Sequence, residues 1–260
     1  MNATLTDHLV CPRCGPPFGL ILLAHEVRDR RVQRGEFGCA NCRDRFPVED
    51  GFGDLRPPPR GEVPDEVSMR EEGLGGESDA GDARGPRDAG GADGGGGAPA
   101  GGGGGDAATR ALRLAAALGV AEGPGMIVVP DSNRDEAAAI ARLVRGIEVV
   151  VVGWGGRGLA ADGVSALVTG ARLPLRDGVV RGVVAEGGGG AGWWGECLRV
   201  LMPGGRVVIT EPAAAARDWV QGAGLATVLD ESGLLVAALP LPGAAPRMGR
   251  WMGGARKPRP

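Results

Sequence analysis

Several residue types are scarce or missing, and each scarcity narrows the range of possible functions. The 260-residue chain contains no tyrosine, two histidines and a single lysine, Lys257, against 28 arginines. The arginine excess, together with abundant alanine, glycine and proline, is typical of a GC-rich genome and carries no functional weight. No apolar run approaches the roughly 18 residues that a membrane-spanning helix needs, and the first residues lack the basic and then apolar order of a secretion signal. We therefore expect a soluble, cytoplasmic protein with no membrane partner.

Glycine is abundant but concentrated in one segment. Residues 61–108 hold 17 of the 50 glycines and carry a net charge of −8, whereas the long apolar runs lie in residues 1–60 and 109–239. Residues 240–260 hold five positive charges and no acid. The four phenylalanines all precede residue 53 and the five tryptophans all follow residue 150, which indicates two separate cores. The sequence thus predicts two folded domains, 1–60 and 109–239, a disordered acidic linker at 61–108 and a flexible basic tail at 240–260.

Four cysteines form the strongest chemical signal. Cys11 and Cys14 make one C-x-x-C pair, and Cys39 and Cys42 make a second pair after 24 intervening residues. Two such pairs can close on one tetrahedral ion while the residues between them return as strands of a small ribbon. We predict these four thiolates as ligands of a structural zinc ion, with iron as the alternative because it binds the same cage. Disulfides are disfavoured, since nothing directs the chain out of a reducing compartment. A site closed by four cysteines supports folding and offers no open position for catalysis.

Further motifs accompany the cysteines. Residues 9–14 read LVCPRC, and after the second cysteine pair residues 46–51 read FPVEDG and residues 55–57 read LRP. Together these resemble the small zinc-ribbon family whose members activate tRNA, rRNA and release-factor methyltransferases. The resemblance covers about residues 5–57, although residues 52–53 replace an apolar-proline pair. It implies a ribbon that binds a methyltransferase domain, covers its apolar surface and solubilises it. The implied partner is another methyltransferase or the chain's own second domain.

The second region alternates between short apolar strands and helical segments. The strands are predicted near residues 126–129, 148–152, 166–169, 182–185, 206–211, 225–229 and 234–239. This pattern predicts a doubly wound, Rossmann-like α/β sheet of seven strands. A turn of hairpin length separates the last two strands, so the last strand should run antiparallel to the others.

Two motifs of this region are similar to those of the class I methyltransferases that use S-adenosylmethionine (SAM). Residues 173–178 read LPLRDG, and residues 196–206 read ECLRVLMPGGR at the turn into the fifth strand. The match covers roughly residues 109–239 and implies a methyltransferase domain. The fused ribbon would then either stabilise this domain in cis or recruit another methyltransferase.

The positions that would hold SAM depart from that family. The resemblance implies a glycine-rich loop after the first strand, where Pro130 and Asp131 stand instead. It also implies acids associated with the second, third and fourth strands, where Trp154, Thr169 and Arg181 are found. We therefore predict a degenerate domain that binds SAM weakly or not at all, and the SAM-binding residues remain unknown.

Two alternatives stay open. In one, the domain is an active SAM-dependent methyltransferase with a rearranged pocket, in which residues 153–158 approach the cofactor and Glu186 serves as a base. In the other, the chain is an RNA-binding zinc-ribbon protein, an alternative supported only by the basic tail. No catalytic residue is assigned, because Cys197 has no histidine in its domain and is predicted to be an inert core thiol. The preferred function is that of a scaffold or activator in methylation.

Overall fold

The structure, a computed structural model, describes residues 1–61, 103–159 and 161–243. We call residues 1–61 the N-terminal module. It opens with a short 3-10 helix (Ala3–His8) and continues as a series of antiparallel strands. These strands are β1 (Val10–Cys11), β2 (Gly15–Arg28), β3 (Arg31–Cys39), β4 (Arg45–Glu49) and β5 (Phe52–Leu55).

The two later ranges form an α/β region in which strands and helices alternate. Its helices are α1 (Gly103–Leu118), α2 (Arg134–Leu143), α3 (Gly190–Val200) and α4 (Ala214–Gly222). Its strands are β6 (Gly125–Pro130), β7 (Ile147–Val152), β8 (Val164–Thr169), β9 (Val180–Glu186), β10 (Leu201–Thr210), β11 (Ala226–Glu231) and β12 (Leu234–Ala238). Two 3-10 turns, Asp131–Asn133 and Trp154–Gly156, follow β6 and β7.

The α/β region is doubly wound. Its strands lie in the order β8-β7-β6-β9-β10-β12-β11, with β6 to β10 parallel and β12 antiparallel between β10 and β11. The predicted antiparallel last strand is confirmed, and its turn residues Ser232 and Gly233 have φ of +53° and +74°, as in a type I′ hairpin. The chain reverses its winding at β6. In such sheets the ligand crevice opens at the carboxyl ends of the strands beside this reversal, and we call this side the ligand edge.

The module and the α/β region share one sheet. β5 lies parallel to β8, with Phe52 opposite Ala166 and Leu55 opposite Thr169. The described residues therefore form a sheet of twelve strands, larger than the predicted sheet of seven, because the module continues it beyond β8. Without β5, the backbone groups along β8 would be an open edge that could pair with other chains.

The module also supplies part of the layer that covers the sheet. α1 and α2 pack on one face, whereas α3 and α4 pack on the other. Residues 170–179, which join β8 to β9, form no helix. Leu9 and Leu55 of the module are fully buried beside this connection, in the same core as Leu167 and Leu175. The module thus covers apolar surface that the α/β region leaves bare.

Backbone hydrogen bonds fix the module to this connection as well. Leu9 forms an antiparallel bridge with Leu175. On either side of the bridge, the Val10 N–H donates to the Pro174 carbonyl at 3.0 Å, and the Arg176 N–H donates to the His8 carbonyl at 2.9 Å. The segment that precedes the first cysteine therefore attaches the module to the α/β region in addition to β5.

The two methyltransferase-like motifs meet in one ion-pair network. Arg199 on α3 donates to the carbonyls of Leu173 and Leu175 at 2.8 Å, and its guanidinium lies 2.6 Å from Glu196 and 2.7 Å from Asp177. Burial disfavours the Glu196 carboxylate, but hydrogen bonds from Arg199 and the Leu173 N–H outweigh it and hold the pKa of Glu196 below its ordinary value. The motifs are thus architectural, because they shape the segment on which the module docks.

The predicted linker and tail agree only in part with the residues that the structure describes. α1 begins at Gly103, inside the segment predicted as linker. Residues 62–102 of that segment and residues 244–260 of the predicted tail lie outside the described residues. Within the described ranges, no helix combines the length and the apolar character needed to span a membrane.

Replacing Leu9 by alanine tests whether the module and the α/β region unfold together. Leu9 is fully buried, so Leu9→Ala should lower the free energy of unfolding by about 2–5 kcal/mol. Urea denaturation followed by tryptophan fluorescence reports on the α/β region, since no tryptophan lies in the module. The control is Leu23→Ala, at a leucine that is 51% exposed, with an expected change within about 0.5 kcal/mol. An unshifted tryptophan transition in Leu9→Ala would show that the two parts unfold independently.

A second prediction concerns acid sensitivity. Because the pKa of Glu196 is lower in the folded protein, its stabilising contribution is present above the ordinary value of 4.5 and is lost as the pH falls below it. Glu196→Gln should therefore lower the unfolding free energy at pH 7 by about 1–3 kcal/mol, and the difference should shrink toward about pH 3. Urea titrations at several pH values measure this difference, with the exposed Glu231→Gln as control. A difference that stays constant with pH would contradict the assignment.

Candidate functional site

The four predicted metal ligands meet at one point. The Sγ atoms of Cys11, Cys14, Cys39 and Cys42 all lie within 4.8 Å of one another. The Cys11 and Cys42 sulfurs are 3.6 Å apart, and the Cys14 and Cys39 sulfurs are 3.8 Å apart. Sulfurs bound about 2.3 Å from a tetrahedral Zn²⁺ are separated by about 3.8 Å. The donor atoms and their spacing therefore fit a zinc ion, which these four residues could hold.

Two backbone turns aim the thiols inward. β1 ends at Cys11 and β3 ends at Cys39, so each cysteine pair begins where a strand ends. Gly15 after the first pair has φ +87°, a conformation that glycine adopts readily, while Arg43 after the second pair takes φ +63° without being glycine. The Cys14 N–H donates a hydrogen bond to the Cys11 sulfur, with 3.4 Å between the nitrogen and the sulfur. Such a donor stabilises the thiolate form of a cysteine.

The thiols differ in how readily they ionise. Burial opposes ionisation of Cys39, but the N–H groups of Cys42 and Asn41 and the neighbouring thiols lower its pKa to about 7. Burial and the neighbouring thiols raise the pKa of Cys42 well above its ordinary value. Crowded thiolates repel one another, so full ionisation of the cluster requires a bound cation.

The cluster is part of the protein core. Cys11 is fully buried and Cys39 is 4% exposed, and both lie in the apolar core that contains Leu9 and Leu175. Leu9 precedes Cys11 by two residues and makes the bridge to the α/β region. Metal binding and docking of the module are therefore physically linked.

At the ligand edge, the loops after β6 and β7 contact each other. Asp131, directly after β6, accepts a hydrogen bond from the Gly155 N–H at 2.8 Å through its Oδ2 atom. Its other carboxylate oxygen lies 4.0 Å from the Arg134 guanidinium. A Cβ atom at Gly153 or Gly155 would clash with Asp131, so only glycine permits this close approach. The two loops that the resemblance assigns to SAM binding are thus packed on one another.

Trp154, in the loop after β7, is held by the N-terminal module. Its ring stacks on Phe52 with centroids 6.0 Å apart and an angle of 25° between the planes. The Arg56 guanidinium lies 4.4 Å from the centroid of the Trp154 ring, a cation–π distance. Asp54 binds Arg56 through both carboxylate oxygens, at 3.0 and 2.9 Å. Residues from β5 and just beyond it therefore contribute directly to the ligand edge.

Thr169 and Arg181, which the sequence analysis singled out in the third and fourth strands, lie at opposite edges of the sheet. Thr169 ends β8 at the ligand edge, but its hydroxyl donates to the Arg172 carbonyl at 2.6 Å. Arg181 was expected near the ligand; it is the second residue of β9 and lies at the opposite edge, where it donates to the Pro124 carbonyl at 3.2 Å. The expectation was wrong because Arg181 lies at the amino end of β9, as it also does for the strand predicted at 182–185, whereas the residue at the carboxyl end is Glu186, which is exposed.

Two side chains of α3 have structural roles. Cys197 is fully buried, which confirms the predicted core position, and burial raises the pKa of its thiol to about 12. Trp194 packs against Trp219 with ring centroids 5.6 Å apart and donates to the Glu186 carbonyl at 3.0 Å. Neither residue is placed to act on a ligand.

A buried polar network, absent from the sequence predictions, joins the module to β7 and β8. The Glu148 carboxylate accepts from Asn2 at 2.8 Å, from Ser165 at 2.6 Å and from Arg31 at 3.3 Å. A cavity of about 660 Å³ opens beside it, lined in part by Asn2, Arg31 and Glu148. A glutamate in a predicted apolar strand signals that the carboxylate needs a partner, but it does not identify that partner.

No known protein family matches the sequence, and no curated protein matches it either. The solved structures similar to it include a Methanococcus maripaludis protein assigned as a SAM-dependent methyltransferase, with 12% identity, a TM-score of 0.41 and coverage of 52% of this chain and 84% of that one. Another is geranyl diphosphate C-methyltransferase from Streptomyces coelicolor, with 16% identity, a TM-score of 0.41 and coverage of 46% of this chain and only 59% of that one, less than two thirds of its length.

A third similar structure is a complex of the Haloferax volcanii Trm112 methyltransferase activator with a protein assigned as a methyltransferase. Its identity is 18% and its TM-score 0.42, and the match covers 52% of this chain and 91% of that one. At these identities and TM-scores, the similarities say nothing about activity, which has to be argued from the residues themselves.

Metal analysis tests the cysteine cluster. Purified protein should contain about one zinc ion per chain, and Cys39→Ala should lose that ion and shift the tryptophan unfolding transition to lower urea, because Cys39 lies in the shared core. Plasma mass spectrometry measures the metal, and fluorescence measures the unfolding. Cys197→Ala is the matched control, since it removes a buried cysteine outside the cluster and should keep the zinc. Full zinc content in Cys39→Ala would contradict the assignment.

Proposed function

We propose that this chain is a zinc-binding, methyltransferase-like protein whose N-terminal ribbon stabilises its own α/β domain in cis, and that it serves methylation as a scaffold instead of a catalyst. In this proposal residues 1–60 are the ribbon and residues 109–239 are the methyltransferase-like domain. The segment between them joins the two, except that its last residues, from Gly103 onward, belong to α1; residues 240–260 follow the second domain.

The observation that carries the cis arrangement is the parallel pairing of β5 with β8. A strand added to an exposed sheet edge is a common mode of protein recognition, in which the backbone supplies the affinity. Here the strand and the edge belong to one chain. Because β5 already occupies the edge of β8, the module cannot use the same strand to recruit another methyltransferase while it is docked.

The buried polar network adds to the case for permanent docking. Undocking would leave the Glu148 carboxylate without Asn2 and Arg31, its two partners from the module. Water would then reach the carboxylate, but each hydrogen bond lost to a charged group still costs about 1.5–3 kcal/mol. A module that docked only transiently would lose these contacts each time it dissociated.

The arrangement of the ligand edge supports weak or absent SAM binding. The carboxylate of Asp131 and the N–H of Gly155 bond to each other, and Trp154 is engaged by Phe52 and Arg56. A cofactor laid over these strand ends would have to break those contacts. It would also lack the glycine-rich loop and the ribose-binding acid that the family resemblance implies.

The magnitude of these losses decides between weak and ordinary binding. A hydrogen-bonding group left without its partner costs about 1–3 kcal/mol. Since about 1.4 kcal/mol corresponds to a tenfold change in affinity, several such losses weaken binding by orders of magnitude. A micromolar SAM site is therefore not expected here.

Calorimetric titration with SAM tests this proposal. We expect no measurable heat of binding up to about 1 mM ligand, equivalent to a binding free energy weaker than about −4 kcal/mol. The zinc content and the unfolding transition of the same sample show that the protein is folded. Micromolar binding would overturn the degenerate assignment and favour the active methyltransferase with a rearranged pocket.

A further inference from the structure

We propose that the N-terminal module shuts the ligand edge of its own sheet: Arg56 holds the loop of residues 153–156 against Asp131, and release of Arg56 from Trp154 opens this edge to a SAM-type ligand. This inference rests on the proposed function, which supplies the class of ligand. It goes beyond that function by assigning the closure to the module and by making it reversible.

The direction of β5 brings Arg56 to this place. β5 runs parallel to β8, so its last residue, Leu55, lies opposite Thr169 at the end of β8. Arg56 is the next residue and therefore leaves the sheet at its carboxyl edge. The loops that follow β6 and β7 leave the sheet at the same edge.

Arg56 is held rigidly in position. The Asp54 carboxylate binds its Nε and Nη2 atoms at 3.0 and 2.9 Å and also accepts from its backbone N–H at 3.1 Å. The remaining terminal nitrogen donates to the Gly61 carbonyl at 3.2 Å. The two side chains are only 16% and 14% exposed. A guanidinium fixed in this way contacts the Trp154 ring with little further loss of conformational freedom.

Arg56 is connected to the loop after β6 through Trp154 and Gly155. Trp154 starts the 3-10 turn Trp154–Gly156, and the Gly155 N–H of that turn donates to Asp131. The loops that follow β5, β7 and β6 are therefore linked in series. A ligand that lies across the ends of β6 and β7 has to separate Gly155 from Asp131, and the contact of Arg56 with Trp154 resists this movement.

The loop can open without disrupting the sheet. Trp154, Gly155 and Asp131 are only half-buried, and the polar and aromatic contacts that join Trp154 and Gly155 to the module and to Asp131 are one hydrogen bond, one aromatic stack and one cation–π contact. Segments with few buried contacts are the ones that open locally in native proteins. The β7 strand itself is buried throughout and keeps its place.

Hydrogen–deuterium exchange of the zinc-loaded full chain tests the closure without any ligand. Arg56→Gln removes the cation and the bidentate pair, and exchange in residues 153–156 should become at least tenfold faster. The matched control is Arg45→Gln, which removes another ion pair of the module, with Glu36, at a side chain that is 73% exposed. Exchange in this control should equal that of the unaltered protein. Asp54→Asn is a second variant that keeps the Arg56 charge and should accelerate exchange to a smaller extent.

Titration with S-adenosylhomocysteine then tests whether the closed edge is a ligand edge. Arg56→Gln should bind this probe at least fivefold more tightly than the unaltered chain or Arg45→Gln. Unchanged exchange in both Arg56→Gln and Asp54→Asn would overturn the closure, and faster exchange without tighter binding would overturn its link to a ligand. Micromolar binding by the unaltered chain would instead overturn the proposed function, while the exchange data would still test the closure.

Discussion

The parallel pairing of β5 with β8 is the constraint on which the other features of this protein depend. β8 would otherwise be the edge of a doubly wound sheet, with backbone donors and acceptors open to any extended chain. The connection from β8 to β9 contributes no helix, so the adjoining face of the sheet is also bare unless the module covers it. One docking event satisfies both needs, since the backbone of β5 pairs with the edge while Leu9 and Leu55 fill the face. We therefore expect the α/β region and the N-terminal module to unfold as one unit.

Polar contacts determine the register of this docking. A shift of one residue along β8 would turn Phe52 to the opposite face, away from Trp154. It would also separate Asn2 and Arg31 from Glu148. Apolar contacts alone tolerate such a shift more readily than a buried carboxylate does, because an unpaired charge cannot be accommodated in the interior. The network therefore makes this register specific, and the apolar contacts supply most of the attraction.

Local patterns allowed the sequence to predict some of this structure. The cysteine spacing identified the cluster because each pair requires only a tight turn, and the turn at Ser232 and Gly233 revealed the antiparallel last strand. The docking was not predictable in the same way. β5 and β8 are more than 100 residues apart. The residue spacing within a single sequence does not indicate which edge of a sheet a distant strand will join. Arg181 was misplaced for another reason: its role came from the family resemblance, although residue 181 precedes the predicted strand at 182–185 and therefore lies at the amino edge of the sheet, away from the ligand edge.

The direction of β5 also connects stability with ligand access. Parallel strands end at the same edge of a sheet, so a parallel β5 has to deliver the residue after it to the side where doubly wound folds bind ligands. An antiparallel strand could cover β8 equally well, but it would carry Arg56 to the opposite edge, near the polar network of Glu148. The module that covers the edge of this sheet is therefore, by the same geometry, positioned beside its ligand edge. The short glycine-rich loop after β7 then completes the contact, because only a loop without side chains at Gly153 and Gly155 can lie against Asp131 while Trp154 reaches the module.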